Sequence, residues 1–535
     1  MSRLGEALYR AVRPFPRIAA ALHYLRHPRL FVHKTAQLFQ RKWRLRAYRQ
    51  ALKNGKLLVE VPGGLPSFLI TVATPVYRVA EEHLRAAIAS VRSQTYPHWE
   101  LILLDDASPD AHVKNVLREA SAWDPRIRVV HQPSNLGIAL ASNEIIRLAR
   151  GEYVAFLDHD DLLHPRALEQ VARFLAGRPD VDWLFTDEDK VDERGQHSEP
   201  CFKPGWSHHL LLTFNYVCHL RIVRRSILQR VGGHRPGFDG AQDYDLALRV
   251  IQNGGRFAHL PGVLYHWRTV ASSMARAAAA KPAAHTHALR ALAEHAASWP
   301  TGGEVSAEVL LAPASFFRVR RMPPEGLSLA LLSPDPPRLS GLRGFRMEWV
   351  KVHPGPLIPE ELAQVARAST AEVLVVPPPQ GFSETELQEL LSLLQVPKTA
   401  LVCARACRGK TVLHSGWVAS DTGKLRDPWR GLDRNDPGYL NLAMVPGPRL
   451  VPTPQGFVVW RQAVVAAMAA AEDVPAPWKL PLGWHRLGLE VVATPTVSYE
   501  AGEIWAPPQA PVPAEAPVHM RRWLDEFGLV PAPRL

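Results

Sequence analysis

Short apolar runs alternate with amphipathic segments over residues 68–163. Helical periodicity places apolar residues on one face of the amphipathic segments, and the continuous apolar runs are typical of parallel strands buried on both faces. The predicted strands are Phe68–Ala73, Glu100–Leu104, Ile127–His131 and a strand that opens at Glu152, and the predicted helices are Glu81–Gln94, Val113–Trp123 and Ile138–Arg150. This alternation predicts an α/β fold, an open and mostly parallel sheet flanked by helices.

Polar side chains follow the predicted strands at the points where the strands stop. They are Thr74 and Tyr77 after the first strand, Asp105 and Asp106 after the second, and Asp158, Asp160 and Asp161 after the fourth. Any one of these acids fits a turn or a helix cap equally well. Ligands of open α/β sheets bind at the carboxyl ends of the strands, so the convergence of three such loops favours a binding crevice.

The acidic cluster that ends the fourth strand requires a counter-charge, because neighbouring carboxylates repel one another. Two carboxylates two residues apart reach one hard divalent cation through their oxygen atoms. Such a cation neutralises a diphosphate, and an aromatic side chain with a carboxylate at the first two strand ends suits a base and a ribose. The set therefore indicates a nucleotide sugar, and the absence of a phosphate-cradling glycine loop argues against ATP hydrolysis by a P-loop.

Residues 67–275 resemble a family 2 glycosyltransferase domain of the GT-A fold. The resemblance rests on seven motifs in order: ATPVY (73–77), LLDDAS (103–108), NLGIALASNEII (135–146), GEYVAFLDHDDLL (151–163), FTDEDK (185–190), GAQDYDLALR (240–249) and LPGVLYHWR (260–268). The chain lacks the QxxRW motif of the processive synthases, so the resemblance implies transfer of one sugar per encounter.

The resemblance also implies roles for individual residues. By this resemblance the nucleotide is lined by Thr74, Pro75 and Tyr77, and its base is contacted by Asp105 or Asp106. The DxD pair that binds the donor and Mg²⁺ or Mn²⁺ consists of Asp158 and Asp160, and His266 is a third metal ligand. The general base is Asp243. Asp187, Glu188 and Asp189 follow a predicted strand, Trp183–Thr186, and border the acceptor pocket, with a solvated acidic turn as the alternative. A hydrogen-bonded loop histidine is the alternative for His266.

Asp243 also lies near the start of a predicted helix. Gln242 opens a predicted helix that runs to Ile251, and an acid at a helix N-terminus is favoured by the helix dipole. Capping is therefore an alternative for either Asp243 or Asp245. A single carboxylate suffices to deprotonate an acceptor hydroxyl that attacks the anomeric carbon opposite the leaving diphosphate, which inverts that centre.

The second half of the chain repeats the first half in pattern. Residues 366–394 align with residues 148–176, and residues 482–502 track residues 246–268. Where the first copy has Asp158–Asp161, the second has Pro377-Pro378-Pro379-Gln380, which offers a metal no carboxylate. The position that matches QDYD falls in Trp478–Pro481 and also lacks the acid. A repeat this long indicates a duplicated domain that has lost catalysis.

The formal charge of +12 lies in the N-terminal segment, since residues 1–53 contain thirteen Lys and Arg and a single acid, Glu6. Apolar residues between these bases predict basic amphipathic helices, either on an anionic membrane surface or packed on the body, and binding to anionic vesicles distinguishes the two. No nucleic-acid motif accompanies the charge. We find no signal peptide and no apolar run long enough to span a bilayer, so a cytoplasmic, peripheral protein is expected at the inner face of the cell membrane.

These observations predict five regions: a basic segment (1–66), a catalytic GT-A domain (67–275), a helical and proline-rich linker (276–325), a degenerate GT-A-like domain (326–500) and a proline-rich tail (501–535). The expected function is inverting, metal-dependent transfer from a nucleotide-diphosphate sugar to a glycan or lipid-linked glycan in cell-surface polysaccharide synthesis. The alternative is a non-catalytic glycan-binding or scaffolding protein of a polysaccharide assembly system. Neither hypothesis includes nucleic acid as a partner.

Overall fold

The computed structural model describes residues 45–520, with gaps at 270, 301–302, 312–314, 337–344, 353–358, 379, 415–417, 421–424, 427–446, 450–455, 472, 474–478, 488 and 501–517. The chain divides into two compact units, Met1–Leu57 and Leu58–Leu535. In the first unit, residues 45–53 are helical, and most of the predicted basic segment lies outside the described residues. None of the described helices is both long and apolar enough to cross a membrane.

The second unit begins with a nine-stranded sheet that alternates with helices. Its strands are β1 (Ile70–Val76), β2 (Trp99–Asp105), β3 (Ile127–His131), β4 (Tyr153–Phe156), β5 (Leu162–Leu163), β6 (Trp183–Val191), β7 (His197–Cys201), β8 (Arg221–Arg224) and β9 (Phe257–Arg268). The helices are α1 (Glu81–Arg92), α2 (Ala111–Trp123), α3 (Ile138–Leu148), α4 (Ala167–Ala176), α5 (His208–Thr213), α6 (Arg225–Arg230), α7 (Gln242–Gln252) and α8 (Ala271–Ala297).

The strand order is β3-β2-β1-β4-β8-β6-β9-β5, with β7 paired to β6. Pairing is parallel from β3 through β4 and again between β6 and β9, whereas β8 is antiparallel to both of its neighbours. Apolar side chains from both faces of the sheet form two cores against the helices. The predicted α/β architecture is confirmed, with an antiparallel strand in its centre.

Two predicted strand ends were wrong. The first strand continues through Thr74 and Pro75 to Val76, because β2 pairs with it over that length. On the other side, β4 pairs with β1 only as far as Ala73. Residues 74–76 are therefore paired on one side only, where a strand tolerates proline. Strand β6 continues to Val191 through parallel pairing with β9, so Asp187, Glu188 and Asp189 lie inside a strand and not in a turn after it. Inter-strand pairing determined both ends.

Glu100 on β2 links the parallel part of the sheet from within. Its side chain is 2% exposed, and Oε1 accepts hydrogen bonds from Thr71 Oγ1 and from the backbone N–H of Arg150, each at 2.7 Å. Oε2 accepts from Arg150 Nε at 2.8 Å and from Arg128 Nη1 at 3.2 Å. Burial opposes ionisation of Glu100, but these hydrogen bonds outweigh it and lower its pKa. One carboxylate thus connects β1, β2, β3 and the turn before β4.

We expect Glu100→Gln to lower the free energy of unfolding by about 2–3 kcal/mol, because a charge-assisted buried network loses its acceptor. The lowered pKa means that this stabilisation is fully present above the ordinary glutamate pKa of about 4.5 and is lost as the pH falls through the folded-state value. Urea denaturation of both proteins across this pH range measures the effect, and the difference between them should shrink in acid. Glu119→Gln, at an exposed pair with Arg85, is the matched control. Equal losses in the two variants would contradict the prediction.

A second sheet begins beyond α8 and a two-stranded ribbon, β10 (Val305–Leu311) with β11 (Phe316–Arg321). Its elements are β12 (Ser328–Ser333), β13 (Arg346–Lys351), α9 (Pro359–Ala368), β14 (Val373–Val376), α10 (Glu384–Leu394), β15 (Thr399–Arg408), β16 (Thr411–His414), β17 (Val418–Ser420), β18 (Leu425–Arg426), β19 (Gly447–Arg449), β20 (Phe457–Trp460), α11 (Arg461–Ala470), α12 (Lys479–Arg486), β21 (Glu490–Glu500) and β22 (Val518–Met520). Strands β17, β18 and β22 form a separate small sheet.

The order β13-β12-β14-β20-β15-β21 has the same sequence of strand directions as β2-β1-β4-β8-β6-β9: two parallel pairings, two antiparallel pairings and one parallel pairing. The strands also follow one another along the chain in the same order. In the second sheet β14, the counterpart of β4, is followed by Pro377 and Pro378 where the first sheet has its acids. Part of the stretch that matches QDYD lies outside the described residues.

Candidate active site

The loop after β4 is held in place by its one buried acid. Asp161 accepts hydrogen bonds from the hydroxyl of Tyr265 at 2.5 Å and from the backbone N–H of Arg268 at 2.7 Å. Arg268 Nε donates to the carbonyl oxygen of Asp160 at 2.8 Å. Burial raises the pKa of Asp161 well above its ordinary value, and the charges of Asp158 and Asp160 add to the effect. Asp161 therefore anchors the loop to β9.

Asp158 and Asp160 are half-buried, and no side chain in the described part of the chain donates a hydrogen bond to either carboxylate. The backbone N–H of Asp161 donates to the carbonyl of Asp158 at 3.2 Å, which closes a turn around the two acids. His159 Nδ1 donates to the carbonyl of Pro75 at 3.1 Å and joins this turn to the end of β1. The two carboxylates fit a hard divalent cation, because their oxygens are hydrogen-bonded to no other group in the described chain.

His266 lies beside this loop, because the antiparallel pairing of β5 with β9 places it opposite Leu162. Its Nδ1 donates to Asp189 at 2.6 Å, and Nδ1 of His197 donates to the other oxygen of Asp189 at 2.8 Å. Ligand atoms of these three residues lie within 4.8 Å of one another. Burial disfavours the charged form of Asp189, but the two histidines outweigh it and lower its pKa. Asp189 thus fixes the ring of His266 and leaves the Nε2 side for a ligand.

The ends of β1 and β2 carry the residues expected to contact the nucleotide. Thr74 is buried, and its hydroxyl oxygen has no hydrogen-bond partner among the described residues; the same holds for Ser108 after β2. Asp105 accepts from the backbone N–H of Ser108 at 2.9 Å and from His131 Nδ1 at 3.0 Å. Tyr77 is 38% exposed at the rim. The structure places all four residues at one edge of the sheet.

Asp106 is buried and accepts the backbone N–H groups of Leu136 at 2.7 Å and Gly137 at 3.0 Å, at the start of α3. Asn135 Nδ2 donates to the carbonyl of Asp106 at 3.0 Å. Gly137 has φ of 80°, a left-handed conformation that favours glycine. The carboxylate of Asp106 therefore joins the loop after β2 to the N-terminus of α3 and fixes the shape of that loop.

Asp243 lies at the second position of α7, and its side chain is 19% exposed. Oδ2 accepts from Asn215 Nδ2 at 3.0 Å and lies 3.7 Å from Arg221 Nη1. The guanidinium of Arg221 stacks 4.6 Å from the ring centre of Phe156, the last residue of β4. Arg221 therefore links the Asp243 carboxylate to β4, the strand that precedes the loop of Asp158, Asp160 and Asp161.

Asp245, the second acid of QDYD, has a different environment. It is buried and ion-paired with Arg235 and with Arg249, whose Nε lies 2.9 Å away. The carboxylate of Asp245 is thus occupied by two guanidinium groups. The structure thus separates two acids that the sequence left equivalent.

The side chains of the three acids on β6 form hydrogen bonds and ion pairs with other groups of the protein. Buried Asp187 accepts from the backbone N–H groups of Lys203 at 2.8 Å and Gly262 at 2.9 Å and from His259 Nε2 at 2.8 Å. Glu188 pairs with the buried ammonium of Lys203 at 2.8 Å. With Asp189 bound to two histidines, the alternative of a solvated acidic turn is wrong for all three.

Sequence reasoning gave no role to Asn215, Arg221, His197 or Tyr265. Tyr265 stands in the LPGVLYHWR motif beside His266, so that motif offered a signal for it. Asn215 and His197 lie in segments with neither periodicity nor a motif. Their contacts depend on loops that meet only in the folded chain.

The chain is similar in sequence to known glycosyltransferases. The sequence profile of Glycosyl transferase family 2 matches residues 71–232. The chain is 41% identical over 255 residues to the O-antigen biosynthesis protein RfbC of Myxococcus xanthus, covering 48% of this chain and 20% of that protein. It is 30% identical over 202 residues to the putative glycosyltransferase EpsE of Bacillus subtilis, covering 37% of this chain and 72% of that protein.

A solved structure of S. aureus TarS 1-349 in complex with UDP-GlcNAc superposes with a TM-score of 0.36 and 20% identity, covering 43% of this chain and 66% of that one. The chain spans 30% and 20% of the length of the two curated relatives with which it shares more than 40% identity. The matched profile and the extent of the EpsE alignment show that the chain belongs to glycosyl transferase family 2, with the GT-A fold in its N-terminal region.

Proposed function

We propose that the N-terminal domain, residues 67–275, transfers a sugar from a nucleotide-diphosphate sugar to a glycan or lipid-linked glycan acceptor, with inversion at the anomeric carbon. The observation that carries the proposal is the position of Arg221 between the Asp243 carboxylate and Phe156, the last residue of β4, two residues before Asp158. The name of the relative RfbC, an O-antigen biosynthesis protein, supports a role in cell-surface polysaccharide synthesis.

Residues at the strand ends would bind the donor. The hydroxyls of Thr74 and Ser108, which have no hydrogen-bond partner within the described part of the chain, are available to a nucleotide, and the ring of Tyr77 at the rim offers a face to its base. Asp158, Asp160 and His266 would hold Mg²⁺ or Mn²⁺, since their free oxygens and the oriented imidazole form a suitable donor set. When bound there, the cation neutralises the charge of the departing diphosphate.

Asp243 would act as the base. Its Oδ2 oxygen accepts the proton of the acceptor hydroxyl while the hydroxyl oxygen of the acceptor attacks the anomeric carbon from the face opposite the diphosphate. Asn215 holds the carboxylate through a 3.0 Å hydrogen bond, and Arg221 Nη1 lies 3.7 Å from it. The Glu188–Lys203 pair remains a candidate for the acceptor side. We propose no catalytic role for residues 326–500.

Release of nucleoside diphosphate from a panel of UDP-, GDP- and dTDP-sugars, with a mixture of envelope glycans as acceptor, tests the proposal. We expect turnover with at least one donor, dependence on Mn²⁺ or Mg²⁺, loss of turnover with EDTA, and a product of inverted anomeric configuration by NMR. Binding of acceptor without turnover on the whole panel would instead support a scaffolding protein.

A further inference from the structure

The two sheet domains enclose a cleft that has no part in the proposed transfer. Its volume is about 1020 Å³, and its walls come from the segment before β6, the start of β9, the end of α8 and the second domain around Lys398 and α12. This volume is at the upper end of the roughly 300–1,000 Å³ range of pockets that hold drug-sized ligands, so several sugar rings fit inside.

The cleft lies far from the acids. Strands β6 and β9 run parallel, with Phe257 at the cleft and with Asp189 and His266 near the other end. Trp183 pairs with Phe257 and Asp189 pairs with His266, so the separation is six residue steps along β6, or about 20 Å of extended strand. A ligand in the cleft therefore leaves the catalytic crevice free.

The charge of the cleft walls is positive. Arg178, Arg256, Lys398 and Arg486 line it, against the carboxylates of Asp180 and Glu490. Arg256 pairs with Asp180 at 2.8 Å and Arg486 pairs with Asp473 at 2.6 Å, whereas Arg178 and Lys398 are exposed and have no ion pair among the described side chains. Lys398 has φ of 67°, an unfavourable conformation for a lysine, of the kind that recurs at ligand-binding positions.

Aromatic rings form another part of the lining. Trp206 is half-buried, and its ring stacks on Phe257 with centroids 4.3 Å apart. Trp299 lines the cleft as well, and its indole N–H has no hydrogen-bond partner among the described residues. Flat apolar rings beside cations suit sugar rings that carry acidic groups.

The two walls are fixed to each other. Glu490 of the second domain accepts from the Ser207 hydroxyl and from the backbone N–H of His208, both at 2.8 Å, at the start of α5. His209 Nε2 and Thr399 Oγ1 lie 2.7 Å apart across the same boundary. The cleft is therefore largely pre-formed, which lowers the entropic cost of binding.

We propose that this cleft binds an acidic oligosaccharide, a segment of a uronate-bearing glycan, and that building it is the role of the second domain. The inference rests on the proposed function only for the class of ligand, since a glycan-building enzyme works beside its acceptor or product chain. The binding itself needs no turnover.

Calorimetric titration of the full chain with size-defined oligogalacturonate tests this inference. We expect binding that weakens with salt, and a loss of about tenfold or more in affinity for Arg178→Glu with Lys398→Glu. Lys114→Glu with Arg118→Glu, exposed on α2, changes the net charge equally and should retain affinity. Thermal melting of both double variants checks that they are folded.

Three outcomes would overturn the proposal: no binding by the full chain, equal losses in the two double variants, or equally tight binding of inorganic polyphosphate, which has charge without sugar rings. Asp160→Asn should bind oligogalacturonate as the unmodified chain does, and loss of binding there would place the ligand in the catalytic crevice instead. Failure of the nucleotide-sugar panel would remove the proposed transfer and leave this titration unaffected.

Discussion

Asp243→Asn is expected to lower kcat by about 10²–10⁴-fold, the usual contribution of a positioned general base. An amide cannot accept the proton of the acceptor hydroxyl, but it preserves the shape of the side chain and its contact with Asn215. KM for the nucleotide sugar should change little, because Asp243 lies on α7 and not at the strand ends that we propose bind the nucleotide. Steady-state kinetics with varied donor at saturating acceptor measures both constants.

Asn215→Ala gives a graded comparison, since it removes the hydrogen bond and leaves the base. We expect a smaller loss, about tenfold in kcat, with an unchanged affinity for the nucleotide. Asp239→Asn is the matched control, because it makes the same change at an exposed position four residues earlier. Full turnover in Asp243→Asn would exclude this residue as the base and direct attention to Glu188.

Asp160→Asn is expected to abolish metal-dependent turnover. A bound cation contributes several kcal/mol to stabilising a leaving diphosphate, so a loss of about 10³-fold or more is expected. The metal concentration for half-maximal activity should rise at the same time, and Mn²⁺ binding measured by electron paramagnetic resonance should weaken without any substrate present. The loop itself should persist, because the Asp161 carboxylate and the backbone carbonyl of Asp160, and not the Asp160 side chain, bond to Tyr265 and Arg268.

Glu82→Gln is the control for this experiment, since Glu82 is an exposed carboxylate on α1 with 82% of its side chain accessible. It should keep both turnover and Mn²⁺ binding. Retention of full, metal-dependent activity by Asp160→Asn would assign the cation to other ligands. The cluster of Asp189, His197 and His266 would then be the next set to substitute.

The second domain has a sheet that resembles the first in strand order but differs from it after β14. Its sheet has the strand order of the first, yet proline follows β14 where aspartate follows β4. We propose that this second sheet, in which Pro377 and Pro378 follow β14, serves to present a surface and not to bind a metal. The cleft around Lys398 is the surface that this arrangement creates.

The N-terminal α/β architecture and the acids after β4 were evident from the sequence. Both follow from local rules: apolar runs bury themselves, amphipathic segments form helices, and ligands collect where parallel strands end. Strand ends were less predictable, because β1 and β6 extend as far as their neighbours pair with them. Pairing depends on residues distant in sequence, which no local pattern contains.

The sequence by itself determined that acids line one edge of an α/β sheet and that the second copy lacks them. Only the tertiary structure decided which acids are free: Asp245 is enclosed by Arg235 and Arg249, Asp161 is bound to β9, and Asp243 retains an accessible carboxylate. The physical reason is that the chemistry of a carboxylate depends on its burial and on its donors. Those donors come from segments that meet only when the chain folds.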